Sequence, residues 1–367
     1  MTDKRFERLQ ELIQKSGLDG MVLNPGPSLS YLTSLNFHLM ERPTVVVYAP
    51  PAEPVIILPE LEAGKLAASR VAMQPVTYGD DPSSWQSAFE RALKPLNLDQ
   101  KRIGLEPTRL RFLELNFLKN AVPGAIFLSG EDVLNHLRIC KDESEISHMR
   151  KATQIAQDAL LAVLPMVKAG VSENAIAAEL TIALLRAGSD AELPFAPIVA
   201  SGPNSANPHA APTERLLQTG DMLVIDWGAR WQGYCSDLTR TFAIGPISSE
   251  MEKVYRAVQQ GNRAGREAGK PGLAAGSVDQ AARQVIDNSG YGSYFTHRTG
   301  HGLGLEDHET PYIFNANPAI LGVGMTYTVE PGIYLPGVGG VRIEDDMLVT
   351  ETGSVSLSDL PRELRIL

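Results

Sequence analysis

Residues 220–226 read Gly-Asp-Met-Leu-Val-Ile-Asp, and residues 324–330 read Gly-Met-Thr-Tyr-Thr-Val-Glu. Each segment opens on a glycine, runs through a strand-forming stretch and closes on a carboxylate. Asp226 is followed eleven positions on by Asp237, and Glu330 fourteen positions on by Glu344. Each pair fits two adjacent antiparallel strands. The sequence before each segment is helical in pattern. Ile146, Met149, Ala152, Ala156, Ala159 and Val163 recur three and four apart and predict a long helix, and a second is expected from Ser172 to Arg186. Helices near 249–269 and 277–289 precede the second segment, and strands run from there to Thr350. The order helix, helix, strands thus occurs twice, which reads as a duplicated unit of about 100 residues.

Upstream of this duplication the pattern differs. Residues 3–15 form an amphipathic helix with Phe6, Leu9 and Ile13 on one face. Met21–Leu23, Val45–Tyr48, Val55–Leu58, Ile103–Leu105 and Ala125–Leu128 read as buried strands. Helices are expected over 59–69, 83–95 and 107–120. At 367 residues, and about 150 residues per domain, two domains are the natural count. The change of pattern between Ser129 and Glu143 divides them as 1–135 and 136–367. The fold class is α/β in the first domain and α+β in the second.

Composition excludes several classes of function. Asp+Glu is 43 against Lys+Arg 33, a formal net charge of -10 that argues against a nucleic-acid binder. No run approaches the ~18 apolar residues of a membrane span. The N-terminal MTDKRFERLQELIQ has no apolar stretch of the secretory kind, so a cytoplasmic protein is expected. Two cysteines, Cys140 and Cys235, are too few for a disulfide framework or a cysteine-rich zinc site.

The acids at the strand ends point elsewhere. Asp226 follows Met222–Ile225, Glu330 follows Met325–Val329, and Glu344 follows Val341-Arg-Ile343. Carboxylates set in such apolar runs need partners, because an isolated buried charge is costly. Their neighbours in the sequence pattern are other acids. Two divalent cations resolve the conflict, since they neutralise four carboxylates. Four of the seven histidines, His209, His297, His301 and His308, fall in the same part of the chain. His308-Glu309 is followed by Thr310-Pro311-Tyr312 with no second histidine, which removes the helical HExxH zinc motif. The glycines of Gly302-Leu-Gly-Leu305 lack the strand-to-helix setting of a dinucleotide loop.

Asp226-x-Gly228, Ser236-Asp237-x-Thr-Arg-Thr-Phe242, Gly300-His301-Gly-x-Gly-Leu-x-x-His308-Glu309, Glu330-Pro-Gly-x-Tyr334 and Arg342-Ile-Glu344-Asp345 stand in this order. The set resembles the dinuclear centre of the pita-bread metallopeptidases, which include methionyl aminopeptidase, aminopeptidase P and Xaa-Pro dipeptidase. Tyr31-Leu32-Thr33, ahead of the first α/β region, is similar to the creatinase-type N-terminal domain. That domain is lacking in methionyl aminopeptidase, so the resemblance favours the proline-specific members. It implies a creatinase-like N-terminal domain and a pita-bread catalytic domain.

The resemblance also implies roles. Asp226 would chelate a first metal, Asp237 and Glu344 would bridge two, and His301 and Glu330 would complete the second. Carboxylate and imidazole ligands suit manganese, and also cobalt or zinc. Such a pair makes a water molecule acidic, and Glu330 would take its proton. His209 and His308 would bind substrate and steady the oxyanion. Arg342 would either pair with the acidic cluster or face the substrate carboxylate. Thr239 would support Asp237, and Trp227 and Tyr234 would line the pocket or pack beside it. Expected substrates are proline dipeptides or short proline-containing peptides, handled by a homodimer. The X-Pro bond is a tertiary amide with no N–H, so peptidases that grip that N–H cannot use it. A dipeptidase is favoured over an aminopeptidase P. A metal-free creatinase-like hydrolase and a non-enzymatic pita-bread protein are disfavoured by the five intact ligand positions.

Overall fold

A computed structural model describes residues 4–367, and it divides the chain into two compact units, Met1–Arg138 and Ile139–Leu367. The first is a sheet covered by helices. Helix α1 (Lys4–Lys15) buries Phe6, Leu9, Leu12 and Ile13, as its periodicity predicts, while Asp3 of that expectation lies outside the described residues. The strands are β1 (Gly20–Leu23), β2 (Val45–Tyr48), β3 (Val55–Pro59), β4 (Gln74–Tyr78), β5 (Arg102–Leu105) and β6 (Ile126–Ser129). They lie in the order β4-β3-β2-β1-β5-β6, antiparallel from β1 to β3 and parallel elsewhere. The remaining helices are α2 (Pro27–Thr33), α3 (Trp85–Leu93), α4 (Phe112–Ala121) and α5 (Glu131–Arg138).

Local expectations fail here where burial does not select the element. Residues 60–68 form 3-10 turns rather than a helix, and none of them is buried, so no packed face imposes the α-helical pitch. Helix α4 begins at Phe112 rather than 107. Arg111 caps it through Glu114, and the turns after Pro107 precede it. Strand β4 was not expected. It carries Pro75 and buries only Tyr78, as an edge strand can. Helices α2 and α5 were likewise not expected.

The second unit is built from two helix pairs, each lying on its own sheet. Helices α6 (Glu143–Val163) and α7 (Glu173–Ala187) come first, followed by β7 (Ile198–Ser201), β8 (Met222–Trp227), β9 (Arg230–Trp231), β10 (Tyr234–Cys235) and β11 (Leu238–Ala243). Strands β7, β8 and β11 form an antiparallel sheet with β8 in the middle. Helices α8 (Ser249–Ala268) and α9 (Gly276–Asn288) open the second half. Strands β12 (Gly300–Gly302), β13 (Glu309–Ile313), β14 (Thr326–Val329), β15 (Gly332–Leu335), β16 (Gly339–Arg342), β17 (Asp345–Val349) and β18 (Ser354–Ser356) complete it. Five of these form a sheet in the order β13-β12-β14-β17-β18, and β15 pairs with β16.

Strand parity decides what each sheet face carries. Leu223, Ile225 and Trp227 of β8 pack with Ile155, Leu160, Ile176 and Leu180 of the first helix pair. Successive strand residues face opposite ways, so Asp226 points away from those helices. In the second half, Tyr327, Val329, Met347 and Val349 join the apolar cluster that includes Val278 of α9. Glu330, Glu344 and Asp346 alternate with them and face the other side. The two sheets meet where Thr239 pairs with Glu344 in an antiparallel bridge. There the Glu344 N–H donates to the Thr239 carbonyl at 3.1 Å.

Candidate metal centre

The faces opposite the two helix pairs enclose a cavity of about 370 Å³. It is bordered by Asp226, Asp237, His301, Glu330 and Glu344, and by His209, His308 and Arg342. The five expected ligands and the three expected catalytic or substrate-binding residues therefore lie on one cavity. Asp226 is within β8, which runs on to Trp227, while Asp237 directly precedes β11. Glu330 directly follows β14, and Glu344 directly precedes β17. His301 is the centre of β12. A Cβ on Gly300 would collide with the Thr328 carbonyl, and one on Gly302 with the Thr310 carbonyl. The flanking glycines thus let the His301 strand sit between its neighbours.

The His301 Nε2 lies 3.3 Å from Glu330 Oε1 and 3.6 Å from Asp237 Oδ2. Its Nδ1 is 3.1 Å from the Gly302 carbonyl, which can only accept, so Nδ1 carries the proton in the neutral ring and Nε2 presents its lone pair to the acids. One oxygen each from Asp237 and Glu344 and one nitrogen from His301 lie within 4.8 Å of one another, as a shared cation requires. Thr239 Oγ1 donates to Glu344 Oε2 at 2.6 Å. This corrects the expectation that Thr239 supports Asp237: across the bridge its hydroxyl meets Glu344 instead. Asp237 is held through its backbone, with its N–H donating to Asp346 Oδ1 and Oδ2 at 3.2 and 3.1 Å.

Two arginines, Arg298 and Arg342, border the cavity, and Arg342 is the one that bonds to Asp226. Nη2 donates to Asp226 Oδ2 at 2.5 Å, Nε to Thr239 Oγ1 at 3.1 Å, and Nη1 to the Pro208 carbonyl and the Tyr334 hydroxyl at 2.9 and 3.0 Å. The guanidinium is buried and engaged by protein on every nitrogen. Tyr334 is in turn 2.9 Å from His297 Nε2. His297 Nδ1 lies 2.7 Å from the Arg298 carbonyl and must donate there, so in the neutral ring Nε2 accepts from Tyr334. A relay His297–Tyr334–Arg342–Asp226 results. Tyr334 lies in the Glu330-Pro-Gly-x-Tyr motif, yet sequence alone gave it no role.

Charge in the cavity is unbalanced. Burial, then Glu344 and Asp226 beside it, hold Asp237 far above the usual carboxylate range. Glu344 is raised in the same way by burial and by Glu330 and Asp226. Asp226 is raised by burial despite Arg342. Burial acts the same way on Glu330, but His301 outweighs it and brings Glu330 down to about 2. Burial opposes the charge of Arg342 too, yet Tyr334 and the surrounding acids raise its pKa well above the ordinary value. The acids thus compete for too little positive charge. Asp226 Oδ1 is buried and has no hydrogen-bond partner among the described residues. An orphaned carboxylate oxygen facing further carboxylates and an imidazole lone pair fits a divalent cation.

The remaining residues form the rim. His308 is half exposed, lies against His301 with ring centroids 3.8 Å apart and planes tilted by 38°, and has Nδ1 3.4 Å from Asp307. His209 is exposed on the loop after β7. Phe195, Ala196 and Ile198 supply an apolar wall that sequence reading did not single out. Their signal is weak, because one aromatic and two small or aliphatic residues near Pro194 resemble any strand entry. Trp227 and Tyr234 do not border the cavity. The Trp227 indole donates to the Ala156 carbonyl at 2.8 Å, and the Tyr234 hydroxyl to Glu145 at 2.7 Å, so both belong to packing. A more open groove of about 560 Å³ between α6 and α7 is lined mainly by alanines, Pro165 and Met166 and is separate from the carboxylate cluster.

Residues 147–351 match metallopeptidase family M24, and residues 5–140 match the creatinase/prolidase N-terminal domain. An Xaa-Pro dipeptidase of Lactobacillus delbrueckii subsp. lactis is 32% identical over 363 residues, covering 99% of this chain and 98% of that one. The crystal structure of a dipeptidase from Pyrococcus horikoshii OT3 superposes with a TM-score of 0.93 at 37% identity, covering 99% of this chain and 100% of the other. A prolidase from Thermococcus sibiricus gives 0.94 at 34% identity, with 100% of both chains covered. Among the described residues no helix is long and apolar enough to cross a membrane. The creatinase-type first unit, the pita-bread second unit and the acidic centre have one explanation: the chain belongs to metallopeptidase family M24, whose members use divalent metal.

Proposed function

We propose that this chain is an Xaa-Pro dipeptidase that works with two divalent ions, manganese being the best suited. The observation that carries this reading is the convergence of four carboxylates and the His301 lone pair on one cavity with a histidine-lined rim. The names of the relatives support the proline specificity. The apolar wall of Phe195 and Ile198 supports it too, since a pyrrolidine ring needs such a surface. Asp226, Asp237, His301, Glu330 and Glu344 would hold the ions, with Asp237 and Glu344 shared between them. When bound, a dication pair acidifies water and polarises the scissile carbonyl.

The chain's own groups do the rest. Glu330 is ionised and accepts the water proton at Oε1 or Oε2, then returns it to the prolyl nitrogen as the C–N bond breaks. His209 and His308 donate to the carbonyl oxygen as it gains negative charge. Arg342 orients Asp226 through Nη2. This reading assigns Arg342 to the acidic cluster rather than to the substrate carboxylate. It also carries the expectation of a cytoplasmic homodimer, which light scattering of the purified protein checks as regards mass.

The deciding experiment is side-by-side hydrolysis of Xaa-Pro dipeptides and Xaa-Pro-Yaa tripeptides after loading with manganese, cobalt or zinc. The expected result is a kcat/KM for dipeptides at least about tenfold above that for tripeptides, with manganese the most effective. Equal or faster cleavage of tripeptides would move the assignment to an aminopeptidase P.

A further inference from the structure

The His209 ring has no hydrogen-bond partner among the described residues, so the placement of its backbone sets which part of the cavity it can reach. That backbone belongs to the segment running from Ser201, at the end of β7, to Thr213. Near its tip the segment touches the second half of the unit. Arg342 Nη1 donates to the Pro208 carbonyl at 2.9 Å, and the Gly340 N–H donates to Ser205 Oγ at 2.8 Å. Its two feet are both gripped by one side chain, Glu173, the first residue of α7, and Arg215 Nη1 also donates to Ser201 Oγ at 2.6 Å.

Glu173 is fully buried and accepts five hydrogen bonds. Oε1 takes the N–H and hydroxyl of Ser201 at 2.6 and 2.7 Å. Oε2 takes the Asn204 amide at 2.9 Å and the N–H and hydroxyl of Thr213 at 3.0 and 2.7 Å. The donors come from both ends of the segment. One carboxylate therefore closes it into a loop whose span is fixed by the distance between two oxygens of a single group. A buried carboxylate that satisfies five donors is a strong constraint, because releasing any of them leaves a polar group without a partner.

We propose that Glu173 is a positioning residue for the reaction, acting through the loop to place His209 over the cavity. The inference rests on the role given to His209 above. Glutamine at this position keeps the shape but turns one oxygen into an NH2 group. That group cannot accept, so either the Ser201 pair or the Asn204–Thr213 set loses its partner.

The test compares E173Q, H209A and the double variant as full-length, manganese-loaded protein, with E173A as a second truncation. E173Q is expected to lower kcat on Xaa-Pro dipeptides about 10- to 100-fold, the range found when groups orienting a site are lost. In the H209A background the same change should cost less than about twofold, because both act through one group. Manganese affinity by calorimetry should stay within about twofold of the parent, and amide exchange should rise in residues 202–212 alone. Equal losses in both backgrounds, full kcat in E173Q, or weakened manganese binding would overturn the proposal. An H209A variant with parental kcat overturns it together with the role of His209. If the parent cleaves no Xaa-Pro peptide, the functional reading falls, and the exchange of residues 202–212 alone decides whether Glu173 holds the loop.

Discussion

Glu344 and Asp345 are neighbours in sequence, both buried, and opposite in electrostatic setting. Glu344 faces Asp226 and Glu330, and with burial these push its pKa far up. Asp345, one residue on, faces the other way. Burial works against its charge too, yet Arg240 and Arg362 hold it well below the usual carboxylate range. Arg240 Nη2 and Arg362 Nη2 donate to its Oδ1, each at 2.8 Å, with Ser358 Oγ at 2.6 Å. Arg362 Nε donates to Oδ2 at 2.7 Å, and Asn262 at 3.2 Å. The chain neutralises Asp345 with its own arginines and leaves Glu344 short of positive charge. Burial alone therefore does not mark a functional acid. What marks it is burial without a protein partner able to balance the charge.

The sharpest way to break this contrast is to remove the unbalanced acids. Glu344→Ala or Asp237→Ala should lower turnover by on the order of 10³-fold or more, since each deletes a carboxylate that the proposed ion pair would share. Dialysis against a chelator should do the same, reversibly on adding manganese, while a chelated preparation that kept full activity would sink the metal reading. Next comes the balanced acid. Asp345→Ala leaves Arg240 and Arg362 without their common partner and should destabilise the fold by about 3–5 kcal/mol in urea unfolding. Loss of activity without loss of stability would place Asp345 with the ligands instead. His209→Ala tests the cavity without touching its acids. It should reduce kcat by about 10²-fold, with the manganese content of the purified protein unchanged. Asp346 is an intermediate case, because it is raised far above the ordinary range by burial and its carboxylate accepts from the Asp237 N–H and the Thr153 hydroxyl but from no cation among the described residues. Asp346→Asn keeps one accepting oxygen and should change stability by less than about 1.5 kcal/mol; a larger effect would show that its charge matters.

What could be read from the sequence follows from how far each interaction reaches along the chain. Helix periodicity and strand parity are local, so α1, α6 to α9 and most buried strands were legible. So were the acids, because a carboxylate closing an apolar strand is a visible anomaly at Asp226, Glu330 and Glu344. Residues 60–68 and β4 were not legible, since neither is defined by a buried face of its own. The partner of Thr239 was also hidden. Sequence proximity pointed to Asp237, two residues away, whereas the bridge brings in Glu344, 105 residues away. The same holds for Glu173, which grips a segment 28 to 40 residues downstream. Pairing of Arg342 with the acidic cluster was one of two expectations, and the structure selects it, with Asp226, 116 residues away, as the partner.

The bridge between Thr239 and Glu344 has one further consequence. Asp226 and Asp237 come from the first half of the second unit, and His301, Glu330 and Glu344 from the second half. Each half has its own helix pair and its own main apolar cluster, and smaller clusters around Met222 and Leu303 cross between them. When ionised and without cations, their acids repel across the seam; bound cations would draw the acids of both halves to themselves. Metal would therefore act as a clasp as well as a reagent. At a free concentration a hundredfold above its dissociation constant, an ion bound only by the folded chain would add about 2.7 kcal/mol to folding stability. Starved of metal, the protein should loosen first along that seam.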